Sequence, residues 1–205
     1  MMTRISQPLR TAIAGAICLS ILSGVLVVHA WPLWTGQAAL LPVTPVDPRD
    51  MFRGEYVRLN TPATRLAVRS ESTAPAGTVA VTPVGSWWAE LPTDEYSRHQ
   101  SLRGRVVFVQ LEPRGDAGES RPVSISSEPL AGRLNLRGRI TWYEADGERL
   151  NVDYGLDSFF MQEGTARPVE DALRQRRHVQ MQIAIASSGH ARIRRLVVDG
   201  VAVGR

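Results

Sequence analysis

Lysine is missing altogether: the chain has 24 basic residues, all arginine, against 20 acids. A serine–lysine hydrolase is therefore excluded, and a small excess of base carries the sequence pI to about 10. Arg4 and Arg10 precede an uncharged run; setting them aside leaves 22 arginines against 20 acids, a balance of +2. An evenly mixed, near-neutral surface is no electrostatic footprint for nucleic acid, so none is expected as a partner. Cysteine is almost absent too. The single one, Cys18, lies inside the apolar run, which excludes disulfides, cysteine-ligated zinc and a thiol nucleophile from everything downstream. Gly15-Ala16-Ile17 before it puts a bulky isoleucine where a lipoprotein cleavage site wants a small residue.

The usual chemical signatures are lacking as well. His29, His99, His178 and His190 are scattered, with no two at metal-ligand spacing, so no metal or other cofactor is expected. There is no Gly-x-Ser-x-Gly elbow, phosphate loop or dinucleotide fingerprint. Asp157 and Glu163 come nearest to the carboxylate pair of a glycosidase, but acids in loops are mostly plain surface. Trp87-Trp88 offers rings for a sugar or a membrane interface, and more commonly such a pair caps the open end of a β core.

What the chain does have, first, is the run Thr11–Ala30, twenty residues without a formal charge. About 20 residues of helix cross a hydrocarbon core about 30 Å thick. Arg4 and Arg10 precede it and no arginine follows until Arg49, which by the positive-inside rule leaves a cytoplasmic N-terminus over 1–10, an anchor over 11–30 and a periplasmic domain over 31–205. Trp31 and Trp34 fall where an interfacial belt belongs. The alternative is a signal peptide cut after Val28-His29-Ala30; the length and the tryptophans favour an anchor in the inner membrane. Ala12, Ala16, Ser20 and Gly24 recur every four residues, giving one face on which a second transmembrane helix could pack closely.

Beyond Pro32 the dominant period is two. Leu134, Leu136, Ile140 and Trp142 alternate with polar residues, as do Val179, Met181, Ile183 and Ile185; each set predicts a strand with one buried face. Val106–Leu111 is apolar almost throughout and predicts a central strand. Leu150, Val152 and Tyr154 follow the turn signal Asp146-Gly147, and Ser188-Gly189 is the turn between strands over 178–186 and 191–198. One helix is expected from Pro168, with acids at its start and arginines at its end. Loops are expected over 70–78, 83–104 and 112–122. The fold class is mainly β: one sandwich or open barrel with a short helix, behind a transmembrane helix.

Two blocks carry the specific signal. The first, Pro45-Val46-Asp47-Pro48-Arg49-Asp50-Met51-Phe52-Arg53-Gly54-Glu55-Tyr56-Val57-Arg58-Leu59, reads as turns closed by Asp47, Asp50 and Gly54 ahead of a strand. The second, Tyr154-Gly155-Leu156-Asp157-Ser158-Phe159-Phe160-Met161-Gln162-Glu163-Gly164, holds a tyrosine–glycine pair and a glutamate–glycine pair. Together they resemble the GDYXXLXY family of bacterial envelope proteins, whose activity is not established. Glu55 stands where the family has aspartate and Thr61 where it has a second tyrosine; residues 66–104 match poorly. The resemblance implies a membrane-anchored domain, and its members are often encoded beside multi-pass membrane proteins, which suggests such a partner. The candidate binding or structural motif is Asp47, Arg49, Asp50, Arg53, Gly54, Glu55, Tyr56, Tyr154, Gly155 and Glu163, with no catalytic assignment. It reads either as an ion-pair network pinning the two blocks together or as a polar pocket. The favoured function is a non-enzymatic module supporting a membrane partner. The alternative is a periplasmic hydrolase or small-ligand-binding enzyme using Glu55, Glu163 and neighbouring arginines.

Overall fold

The computed structural model describes residues 7–44, 56–68, 77–114, 118–146, 148–160, 166–175 and 177–203. Its first element, helix α1 (Gln7–Thr35), extends past the uncharged run at both ends. The stretch Thr11–Thr35 is long and apolar enough to span a membrane. Its large side chains, among them Ile17, Leu19, Leu22 and Leu26, stay exposed, an apolar surface that calls for lipid or another protein against it.

Gly36 alone separates α1 from strand β1 (Gln37–Pro42). A Cβ there would come within 2.3 Å of the Pro32 carbonyl oxygen and 2.9 Å of the Ile185 nitrogen, so only glycine fits between helix and sheet. The Gly36 amide donates to Pro32 O at 2.9 Å. Arg194 donates to Leu33 O at 2.6 Å, placing a cation on the carbonyl end of the helix, where its dipole is negative. Helix and sheet are thus joined without a linker.

From there β1 runs antiparallel to β11 (Val179–Ile185) over its full length, Gln37 facing Ile185 and Pro42 facing Gln180. Strand β11 pairs with β12 (Ala191–Val198), and β12 with β13 (Val201–Val203). On its other side β1 touches β7 (Glu119–Ser126) in parallel. The order continues through β6 (Val106–Arg114), β8 (Leu134–Glu144), β9 (Arg149–Asp153), β3 (Arg65–Ala67) and β4 (Val79–Ala80), with β5 (Thr82–Val84) beside β7. The Arg137 amide on β8 donates to Gly189 O in the β11–β12 turn at 2.9 Å. The sheet therefore curls far enough for strands four places apart to touch, yet it stays open, with β13 and β4 at its ends. The fold is mainly β, as the periodicity predicts. Leu41, Leu66, Leu136, Ile140, Met181 and Ile183 are fully buried, each contributing about 1.5–3 kcal/mol relative to exposure.

Three local expectations change. Trp142 was expected inward with Leu136 and Ile140, but the pairing of β8 with β9 shifts between Ile140 and Trp142. This bulge inserts one residue and reverses the alternation, so Tyr143 is buried and Trp142 is 53% exposed. The loop expected over 83–104 contains a second short helix, α2 (Glu95–Leu102), whose N-cap Asp94 accepts from the Ser97 amide at 2.8 Å. Hydrogen bonding from the Ser97 side chain, and then from this amide, holds the Asp94 carboxyl below its usual range. The loop expected over 112–122 is shorter, because β6 runs to Arg114 and β7 starts at Glu119. Pro113 and Pro122 are accommodated there, Pro122 beside a register shift at Gln110 and Leu111, the sort of place where a sheet tolerates proline.

The helix expected from Pro168 is α3 (Ala166–Arg174). Trp87 is buried and Trp88 half-buried. The Arg98 guanidinium lies 4.7 Å from the Trp88 ring centre and that of Arg105 5.2 Å from Trp87's. Trp87 belongs to the core cluster and Trp88 packs against it, with each ring covered by a guanidinium.

Candidate functional site

The two motif blocks meet in a separate ribbon. Strand β2 (Tyr56–Arg58) pairs antiparallel with β10 (Ser158–Phe160), with Tyr56 opposite Phe160 and Arg58 opposite Ser158. The Leu59 amide extends the ladder by donating to Asp157 O at 2.8 Å, and Thr44 and Asn60 bridge the ribbon to the end of β1. Of the candidate motif residues, Asp47, Arg49, Asp50, Arg53, Gly54, Glu55 and Glu163 lie outside the described residues. Tyr56 is placed by its backbone in β2; Tyr154 and Gly155 are fully described.

Tyr154 follows β9, and its ring lies on Gly138 of β8. A Cβ at 138 would sit 2.7 Å from the Tyr154 Cδ1 and 2.3 Å from the Val152 Cγ1, so this glycine is a seat for the ring. At its far end the Tyr154 hydroxyl donates to Ala63 O at 2.8 Å. Burial pushes that hydroxyl well above its ordinary pKa, so it remains a neutral donor. Gly155 takes φ +66°, a conformation that favours glycine, and its amide donates to Asp153 Oδ1 at 2.8 Å. This turn carries the chain from the sheet into β10. Tyr154 thus works as a rivet between β8 and the 3₁₀ turn Pro62–Thr64, with no group free for chemistry.

Beside it opens a cleft of about 220 Å³, lined by Leu59, Asn60, Thr61, Tyr154 and Asp157 among others. Thr61 is 2% exposed and caps the Pro62–Thr64 turn, its hydroxyl accepting from the Ala63 amide. The lining side chains are neutral except for Asp153 and Asp157. A second and larger groove, about 630 Å³, lies on the other side of the Tyr154 ring, between α1 and the sheet. Sequence reasoning missed it. Its arginines come from β8 and from the β11–β12 hairpin, which are far apart in the chain; the visible signal was the arginines on the wet face of each strand.

Among the described residues no cluster of three or more histidine, cysteine or acidic side chains could hold a metal. His178 pairs with Glu119 at 3.0 Å, and His99 contacts Tyr143 O at 3.1 Å.

A mainly β domain built directly onto one helix able to span a membrane, with a two-strand ribbon stapled on by a buried tyrosine, defines the class of protein. Within that class the chain belongs to the GDYXXLXY family, whose model, described as GDYXXLXY protein, matches residues 18–196. Read along the family's name, Gly54, Tyr56 and Leu59 agree while Glu55 and Thr61 depart, and Thr61 lines the smaller cleft. No curated protein and no solved structure matches the chain.

Proposed function

We propose that this protein is a non-enzymatic, single-pass module of the bacterial inner membrane that holds its β domain in the periplasm to support a multi-pass membrane partner. The observation that carries this reading is the junction at Gly36, which leaves no slack between α1 and the centre of the sheet. A domain that merely worked near a membrane would be served by a flexible tether; a domain that must meet a partner in a set orientation needs a stiff mount. Arg4 and Arg10 ahead of the span favour the outward orientation. The small-residue face fits a close helix–helix contact: a Cβ added at Gly24 would meet nothing within 4 Å.

Cross-linking and co-purification of the full chain from its native membrane test this. Recovery of a multi-pass protein in stoichiometric amount is the expected result, and recovery of the chain alone from gently solubilised membranes overturns it. A reporter fused to the C-terminus should be active outside the inner membrane.

The alternative, a hydrolase or ligand-binding enzyme using Glu55, Glu163 and nearby arginines, keeps one specific support: β2 and β10 bring the two motif blocks side by side. It is tested by soaking carboxylate and sugar ligands into crystals of the protein. Ordered density between the blocks would favour it.

A further inference from the structure

The larger groove has an uneven wall. One side is apolar and belongs to the helix: Val27, Val28, Trp31 and Pro32. The other is cationic and belongs to the sheet: Arg137 and Arg139 on β8, with Arg192 on β12. None of these three arginines has a carboxylate partner among the described residues, although Asp153 also lines the groove. Some arginines elsewhere find acids. Arg98 pairs with Glu148, Arg133 with Glu112, Arg149 with Glu144 and Arg177 with Asp199. Arg137 instead contacts the imidazole of His190, and Arg139 donates to Gly104 O at 2.9 Å. Counting Asp153, the lining keeps a formal excess of two positive charges.

Depth decides what could neutralise it. Counted from Thr11, about 20 helical residues cross the hydrocarbon core, which puts Val27 and Val28 in its last turn. Trp31 then lies at the interface, where tryptophan is enriched. The arginines across the groove from these residues face the headgroup layer. Guanidinium groups bind phosphate through paired hydrogen bonds, and basic pockets beside membrane-spanning helices suit anionic headgroups.

We infer that this groove is a binding site for an anionic phospholipid, its phosphate held by Arg137, Arg139 and Arg192 and one acyl chain lying along Val27 and Val28. The inference rests on α1 being a membrane anchor and is independent of any protein partner. His190 supports it. Burial, then the charges of Arg137 and Arg192, hold its pKa below the ordinary histidine value, so the two arginines add to what already keeps this imidazole neutral.

The test uses the purified full chain in a mild non-ionic detergent, with no partner present. Native mass spectrometry measures retention of added phosphatidylglycerol against phosphatidylcholine. Wild type should prefer the anionic lipid, and the double variant Arg137→Gln/Arg192→Gln should lose about thirtyfold in its affinity. The variant Arg65→Gln/Arg114→Gln loses the same charge from exposed sites away from the groove and should keep the preference. Circular dichroism confirms that each variant is folded. Equal retention of the two lipids overturns the proposal, as does a preference unchanged in the groove variant. Full displacement by soluble glycerol phosphate would also overturn it, because the site would then be one for a free phosphate ester.

Discussion

Tyr154 separates two cavities that differ in almost every respect. On one side the 220 Å³ cleft is walled by the motif ribbon, with neutral threonine and asparagine side chains and two aspartates. On the other the 630 Å³ groove is walled by the helix and has three arginines with no carboxylate partner among the described residues. Tyr154 and Asp153 belong to both linings. The difference teaches that the motif does not have to line a site to matter. Its second block supplies the partition, and the charge that could recruit a ligand lies on strands outside either block.

The comparison breaks most severely if the partition is pushed out. Gly138→Val would drive its side chain into Val152 and the Tyr154 ring. The expected loss is about 3–5 kcal/mol, comparable to deleting a large aromatic from a core, and chemical denaturation of the full chain in detergent should show it. Next in size is the mount of the larger groove. Gly36→Ala forces a Cβ against Pro32 O and the Ile185 backbone, at about 1–3 kcal/mol. The sharper readout is geometric: spin labels on Cys18, exposed on α1, and on Ser187→Cys should give a narrow distance distribution in wild type and a broad one in the variant. A narrow distribution in both would remove the stiff mount.

Tyr154→Phe keeps the ring and the partition but removes the hydroxyl that satisfies Ala63 O. It should cost about 1–3 kcal/mol, the penalty of a buried unpaired acceptor, and leave lipid preference unchanged. The smallest effect concerns pH. His190 faces Arg137, Arg192 and Asp153 in the groove, and its folded pKa lies below its unfolded value of about 6.5. The unfolded chain therefore binds the proton more tightly, so stability is full above that value and falls as pH drops through the folded pKa. His190→Gln should flatten this part of the pH–stability curve; an unchanged curve would show that neither burial nor the arginines depress the His190 pKa.

Much of the sheet was readable because its strands obey one rule. Val179, Met181, Ile183 and Ile185 are all buried as the alternation predicts, although Gln180 and Ala184 on the face expected to be wet are buried as well, and the turn at Ser188-Gly189 carries Gly189 at φ +83°. The rule fails at Trp142, because a bulge is a property of how β8 pairs with β9, and neither strand alone encodes it. Helix α2 went unread since its one strong mark, Asp94, sits among prolines and glycines that signal a loop. Strand β1 also went unread, as it is short and follows the apolar helix without a break. At the site, Tyr154 and Gly155 were visible through the family resemblance of the second block. That Tyr154 needs Gly138 beneath it and Ala63 beyond it depends on contacts 16 and 91 residues away, which no window along the chain contains.

The junction at Gly36 has a consequence for how the chain is made. Strand β1 emerges directly behind the anchor, yet its full-length neighbour pairs Gln37 with Ile185, 148 residues later. At a synthesis rate of about 5–20 residues per second, that partner arrives many seconds after β1. Until then β1 waits at the bilayer surface with its N–H and C=O groups unpaired on that side, the condition in which strands find wrong neighbours. The order of assembly follows: β6, β7, β8 and β9 can pair among themselves as they emerge, but the mount closes late, when β11 pairs with β1 and β12 then adds to β11. A ribosome that stops short of residue 179 would leave a half-built sheet and an anchor with nothing fixed to it.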